Sequence, residues 1–209
     1  MKILAIETSG SVCSVALETP TFFGEYTVDG NNIHDELLAE LVSRILDDSK
    51  TAISDLDAIS LSAGPGSFTG LRIGAALCKG MCYGGSPKFI AVPTLKAYAS
   101  EAISHAKDLK IDSIFTYLPS QKDFIFYQKF DLELNPQSEI EIDEIEKLDE
   151  LAKGCYISAN STNKITAKTI LNLAKLMYDD GHFADVESFE PSYIQEFKPN
   201  TSPKKRLII

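Results

Sequence analysis

The stretch Ser62-Ala63-Gly64-Pro65-Gly66-Ser67-Phe68-Thr69-Gly70-Leu71-Arg72-Ile73-Gly74 decides how this 209-residue chain is read. Ahead of it, Ile59 to Ser62 is short and apolar and predicts a strand that stops at Gly64-Pro65-Gly66. Behind it, the spacing predicts a helix from Thr69 to Tyr83. A strand, a glycine-rich turn and a helix in that order let backbone approach an anion at the helix N-terminus. Gly64, Gly66, Ser67 and Thr69 here, with Glu7 and Thr8 of the opening hairpin, are the candidate nucleotide- or anion-binding residues. The segment is not a Walker loop, because no Gly-Lys-Ser/Thr follows and its basic residue is Arg72. Nor is it a nucleophile elbow, since Ser67 lacks a glycine two positions before and two after.

Within the same segment Gly66, Gly70, Gly74, Cys78 and Cys82 fall every four residues and line one ridge with small side chains. An interior glycine costs a helix about 0.5–1 kcal/mol relative to alanine, so two of them predict a close neighbour. That neighbour is either the leucine-rich helix predicted over Asp35 to Asp48 or a helix of another subunit; spacing leaves both open.

Working outward, Lys2–Glu7, Val12–Leu17 and Phe22–Val28 read as three strands of a meander, and Glu7 with Thr8, Ser9 and Ser11 occupies its first turn. As bare residues these are a polar turn whose hydroxyls bond nearby backbone; in an enzyme they would position nucleotide phosphates. A strand at Phe89–Val92 and a helix at Thr94–Ala106 complete the order β-β-β-α-β-α-β-α. The second half repeats it more weakly. Strands are predicted at Ser113–Leu118, Phe124–Leu132 and Tyr156–Ser158, and helices at Asp143–Lys153 and Thr166–Tyr178. Two related halves point to an internal duplication, with lobes at residues 1–108 and 109–209 joined near Lys107-Asp108-Leu109-Lys110; the alternative is one mixed α/β domain without duplication.

Composition narrows the function classes. The formal charge is −10, so the summed field repels phosphate backbones, and any contact with RNA is expected to be indirect. The basic cluster Lys198, Lys204, Lys205 and Arg206 is the exception, and Glu139–Glu150, with seven carboxylates in twelve residues, reads as a solvated helix start. Cys13, Cys78, Cys82 and Cys155 form no C-x-x-C pair, and His34, His105 and His182 lie too far apart for a helical ligand pair, so no metal site is expected. His34 reads as a residue bordering the leucine-rich helix. No run spans a membrane and the first apolar run is too short for a signal peptide; a cytoplasmic location is expected.

Three segments together resemble the TsaB (YeaZ) family: Ile3-Leu4-Ala5-Ile6-Glu7-Thr8-Ser9 with Cys13-Ser14-Val15-Ala16-Leu17, the Gly64-Pro65-Gly66-Ser67-Phe68-Thr69-Gly70-Leu71-Arg72 motif, and Val92-Pro93-Thr94-Leu95. The resemblance implies an α/β, actin-like ATPase (ASKHA, ribonuclease H-like) fold of two lobes, each with a mixed sheet and flanking helices. It implies a non-catalytic subunit that binds and activates the transferase TsaD, which forms N6-threonylcarbamoyladenosine beside the tRNA anticodon. The ATPase TsaE completes that complex, and a homodimer is implied when TsaD is absent. No cofactor is implied beyond weak nucleotide binding. The family pairs through the helices matching Asp35–Asp48 and Thr69–Tyr83, which makes Leu38, Leu41, Val42, Ile45, Gly70, Ile73, Gly74, Leu77, Cys78 and Met81 the implied partner-binding residues. The alternative is a nucleotide-hydrolysing or glycopeptidase-like enzyme of the same fold. Departures from the family lie at Glu7, where relatives carry Asp, and at Leu118–Asp123, where they carry Asp-Ala-Arg; Glu190-Pro191-Ser192-Tyr193-Ile194 retains the Pro-x-Tyr signature.

Overall fold

The first strand is apolar at every position but its last, and only a strand covered on both faces needs that pattern. The computed structural model, which describes residues 1–30, 32–84, 87–159 and 164–192, places it at the centre of a five-stranded sheet. In chain order the elements are β1 (Ile3–Glu7), β2 (Val12–Thr19), β3 (Phe22–Asp29), α1 (His34–Ser49), β4 (Ala58–Ser62), α2 (Phe68–Cys82), β5 (Lys88–Val92) and α3 (Thr94–Asp108). There follow β6 (Ser113–Pro119), β7 (Phe124–Asp131), β8 (Glu141–Glu144), α4 (Leu148–Leu151), β9 (Tyr156–Ala159) and α5 (Ala167–Asp179). The first sheet runs β3-β2-β1-β4-β5, with β1–β2 and β2–β3 antiparallel and β1–β4 and β4–β5 parallel. The second runs β8-β7-β6-β9 with the same signs, a shorter copy lacking the fifth strand.

Alternate residues of β1 feed different cores. Leu4 and Ile6 join Val15, Leu17, Ile59 and Leu61 beneath α1 and α2. Ile3 and Ala5 join Ile90, Val92 and the buried sides of α3 and α5. The two covering helices of that second core are exchanged between the halves: α5 lies on β1, β2, β4 and β5, whereas α3 lies on β6 and β9. Hydrogen bonds fix the exchange. Ala167 N at the start of α5 donates to Ser14 Oγ on β2 (2.6 Å), Thr169 Oγ1 donates to Glu101 on α3 (2.6 Å), and Ser158 Oγ on β9 donates to the Tyr98 carbonyl of α3 (2.9 Å). The sheets therefore share one apolar core.

Most predicted elements agree to within a few residues. The helix predicted over Asp143–Lys153 does not. Glu141–Glu144 pairs with β7, a 3-10 turn covers Ile145–Lys147, and only Leu148–Leu151 is α-helical. Glu139–Glu150 is accordingly no solvated helix start, because the alternation Ile140-Glu141-Ile142-Asp143 lets Ile142 sit opposite Phe126 on an edge strand. Residues 182–192 form a strap along the outer edge of β5. Ala184 N donates to the Phe89 carbonyl (2.9 Å), Phe189 meets the Phe89 ring edge-on at 4.8 Å, and Ser192 N donates to the Ala63 carbonyl (2.8 Å). This covers backbone groups that an open sheet edge would leave unpaired. Lys198, Lys204, Lys205, Arg206 and the Tyr193-Ile194 part of the carboxy-terminal signature lie outside the described residues. Among the described residues no helix is long and apolar enough to cross a membrane.

At its three glycines the small-residue ridge meets the β1–β2 turn of the same chain, not a helix. A Cβ on Gly66 would lie 2.5 Å from the Ser9 carbonyl oxygen, and one on Gly70 would lie 2.1 Å from that of Thr8. One on Gly74 would meet Thr8 Oγ1 at 2.6 Å and Leu61 Cδ1 at 2.7 Å. The ridge is the surface on which the β1–β2 turn rests, and the Ser67 N to Ser9 carbonyl bond (2.7 Å) closes the contact. Gly80, on the far side of the same helix, faces open space. Gly70→Ala is expected to destabilise the fold by about 2 kcal/mol or more, because backbone must yield. Gly80→Ala is expected to stabilise it by up to about 1 kcal/mol. Urea unfolding of the two variants checks both signs.

Candidate functional site

Two apolar helix faces and one polar turn converge near the start of α2. The turn is Glu7–Val12, between β1 and β2. Ser67 caps α2 through its Oγ, which accepts from Gly70 N at 3.2 Å. The glycine loop ahead of it is held from three sides: Thr94 Oγ1 accepts from Gly64 N (3.0 Å), Thr94 N donates to the Gly64 carbonyl (2.9 Å), and Ala63 accepts from the strap. Gly64 itself has φ +97°, a conformation open to glycine. The N–H groups of Gly64 and Ser67 thus face protein acceptors.

The candidate anion-binding residues separate in space. Ser67 and Thr69 line a cleft of about 430 Å³, together with Gly10, Ser11, His34 and Asp35, where the starts of α1 and α2 face each other. Gly70 and Ile73 of the docking set line it too. His34 is the first residue of α1, and its Nε2 lies 3.1 Å from the Val12 carbonyl oxygen, tying the helix start to β2. Glu7 lines a different and much smaller cavity, while Thr8, Gly64 and Gly66 are packing positions.

Glu7 is 1% exposed. Its Oε1 accepts from Ser9 N and Ser9 Oγ, both at 2.6 Å, whereas Oε2 has no partner of standard geometry among the described residues. Burial pushes its carboxyl from 4.5 up to about 7, with Ser9 and, more weakly, the Ser62 hydroxyl and the Gly10 amide pulling the other way. Thr8 Oγ1 is likewise buried and unpartnered, beside Gly74. Among the described residues no group of three or more His, Cys, Asp or Glu side chains is gathered to hold a metal ion. Cys13, Cys78 and Cys82 are buried free thiols.

The residues expected to dock separate by burial. Leu38, Leu41, Val42, Ile45, Gly70, Gly74, Cys78 and Met81 are buried within the chain, Gly70 also at the wall of the cleft. Spacing identifies the apolar side of a helix, and in a monomer that side is taken first by its own core. Ile73 and Leu77 differ: they are half-buried, as is Leu37 of α1, which lies outside the docking set expected from the sequence; all three pack against the core under α1 and α2, and the two helices are in contact. α1 turns Asp35, Glu36, Glu40, Asp47 and Asp48 to solvent, and α2 turns Arg72, Ala76 and Gly80 outward. The Arg72 guanidinium lies 3.9 Å above the Phe68 ring.

Residues 30–183 match the family described as tRNA N6-adenosine threonylcarbamoyltransferase, TsaD. The tRNA threonylcarbamoyladenosine biosynthesis protein TsaB of Escherichia coli K12 is 36% identical over 107 residues, covering 49% of this chain and 44% of that protein. The TsaB protein of Bacillus subtilis 168 is 31% identical over 135 residues, covering 61% and 59%. The chain thus aligns with less than half of the Escherichia coli relative's length. The fold matches the structure of YeaZ from Pseudomonas aeruginosa with a TM-score of 0.77 at 20% identity, over 92% of this chain and 99% of that one. Residues 30–183 thus form a domain of the family described as tRNA N6-adenosine threonylcarbamoyltransferase, and with its TsaB relatives the chain belongs to the TsaB (YeaZ) family.

Proposed function

We propose that this chain serves tRNA threonylcarbamoyladenosine biosynthesis in the cytoplasm as a non-catalytic subunit, binding and activating a TsaD-type transferase. The observation that carries the reading is three half-buried apolar side chains on two contacting helices, Leu37 of α1 with Ile73 and Leu77 of α2, which we read as one strip beside inner faces that are fully used. Such a strip, rimmed by charge, suits a helix of a partner laid along it. The names of the Escherichia coli and Bacillus subtilis relatives support the pathway. The non-catalytic status is supported by a first-turn carboxyl that is sealed from solvent and already bonded to Ser9.

Activation through this face is a matter of holding the transferase in its working conformation: a subunit that binds one of two states better shifts the population toward it. The same face serves a homodimer when the transferase is absent, and TsaE joins the assembled pair. With a charge of −10 on the chain, tRNA is held by the transferase. No cofactor is required for docking. A nucleotide, if one is bound weakly, has room in the cleft between the starts of α1 and α2.

Leu77→Arg and Ile73→Glu are expected to weaken association with the transferase at least tenfold, about 1.4 kcal/mol, while the thermal midpoint stays within about 2 °C of the parent. Cys78→Phe is expected to lower folding stability and association together, since its side chain points into the core. Analytical size exclusion with the purified transferase and thermal melts separate the two classes. Reconstitution gives the functional counterpart: modified nucleoside forms at full rate with transferase, TsaE and this chain, and falls strongly when the chain is omitted. Turnover of ATP by the isolated chain at ordinary enzymatic rates, abolished by Glu7→Ala, would instead establish the enzyme reading.

A further inference from the structure

Docking makes no use of the small cavity behind the β1–β2 turn. It measures about 40 Å³, room for one water or one ammonium head and far too little for a nucleotide. Its walls come from both halves of the chain: Glu7 and Ser11 from the first sheet, Tyr98 from α3, and Lys164 and Ile165 from the connection into α5. Glu7 Oε2 is the buried, unpartnered atom on one wall. On another, the Lys164 ammonium pairs with Asp29 at the end of β3, and Asp29 also accepts from Ser11 Oγ at 2.8 Å. The Lys164 and Asp29 side chains are 54% and 47% exposed, so their ion pair is a weak hold that another anion can compete for.

Glu7 is such a competitor only when ionised. With its carboxyl pushed up to about 7 by burial, it is divided between neutral and charged forms near neutral pH. The other titratable groups facing it do not ionise there. Burial, and then Glu7 itself, push the Cys13 thiol of β2 up to about 11 and the Tyr98 phenol of α3 above its ordinary value. Lys164 supplies the cation on the cavity wall among the described residues.

We propose that Lys164 is a shared cation at the seam between the two sheets: it pairs with Asp29 while Glu7 is protonated and turns into the cavity toward Glu7 Oε2 once Glu7 ionises. The exchange releases Ser11 from an Asp29 side chain held in place by the ammonium. Gly10 and Ser11 also form one wall of the 430 Å³ cleft beneath the two helix starts, so the proton on Glu7 is linked to the shape of that cleft. The latch stands on this geometry whether or not the docking reading holds.

The sign follows from linkage. The folded carboxyl keeps its proton to a higher pH than the unfolded one, so the stabilisation is complete below about 4.5, is lost as pH rises toward 7, and is flat above. Selective ¹³C labelling of glutamate carboxyls, with Glu7→Gln to assign the resonance, measures the midpoint directly. In the parent protein it is expected near 7, with the Gly10 and Ser11 amide shifts moving at the same midpoint. Lys164→Gln is expected to raise the midpoint by about half a unit or more, roughly threefold in the proton equilibrium, and to remove the amide movement. Asp29→Asn is expected to lower it in the parent and leave it unchanged in the Lys164→Gln background. Three results overturn the latch: a Glu7 midpoint near 4.5, no change on Lys164→Gln, or an equal Asp29→Asn shift in both backgrounds, which marks a direct charge effect.

Discussion

The carbonyl oxygen of Thr8 lies 2.1 Å from the point where a Cβ on residue 70 would stand. No other side chain fits there without moving backbone, and glycine at that position lets α2 sit flush on the β1–β2 turn. Much follows from that approach. It sets the depth of α2 against β4, through Gly74 on Leu61, and the entry of the chain into the helix, through the Ser67 to Ser9 bond. It also fixes which side of α2 stays open. A helix held along Gly70 and Gly74 leaves the opposite side to solvent, and Gly80 and Ala76 lie there.

The polar chemistry of the turn is shaped by the same closeness. Because the helix seals Thr8 and the neighbouring strands seal Glu7, a carboxyl that would ordinarily be hydrated is buried with half of its hydrogen-bonding capacity met. Burial of this kind favours the neutral acid, hydrogen bonds from Ser9, Ser62 and Gly10 offset part of it, and a cation stands across the seam, where α3 and the connection into α5 meet the first sheet. The exchanged positions of α3 and α5 matter for this reason: they bring residues from both halves of the sequence to one small cavity while closing a single shared core.

Much of this was readable from the residues. The apolar run of β1, the three-strand meander and the leucine periodicity of α1 each carry a strong local pattern, and the structure follows them. The spacing of Gly66, Gly70 and Gly74 correctly announced a close neighbour, but spacing does not say what the neighbour is; a turn from earlier in the chain fills the place where a helix was expected. The residues expected to dock divide for a related reason. Periodicity marks Leu38, Leu41 and Ile45 as the apolar side of α1, and only packing reveals that this side faces inward while Leu37, Ile73 and Leu77 remain at the margin. The strand Glu141–Glu144 was hidden by charge: its carboxylates drew attention to a helix start, although Ile140 and Ile142 already alternated at the period of a strand. The Lys164–Asp29 pair joins residues 135 apart in sequence, and no local pattern signals it.

A helix fully committed on one side and half-open on the other is the central feature of this account, and methyl NMR tests it most directly. With Ile and Leu methyls labelled, addition of the transferase should shift and broaden the Ile73, Leu77 and Leu37 resonances while Leu38, Ile45 and Leu61 stay in place. Perturbation confined to methyls of the second sheet, with Ile73 and Leu77 unmoved, would contradict it.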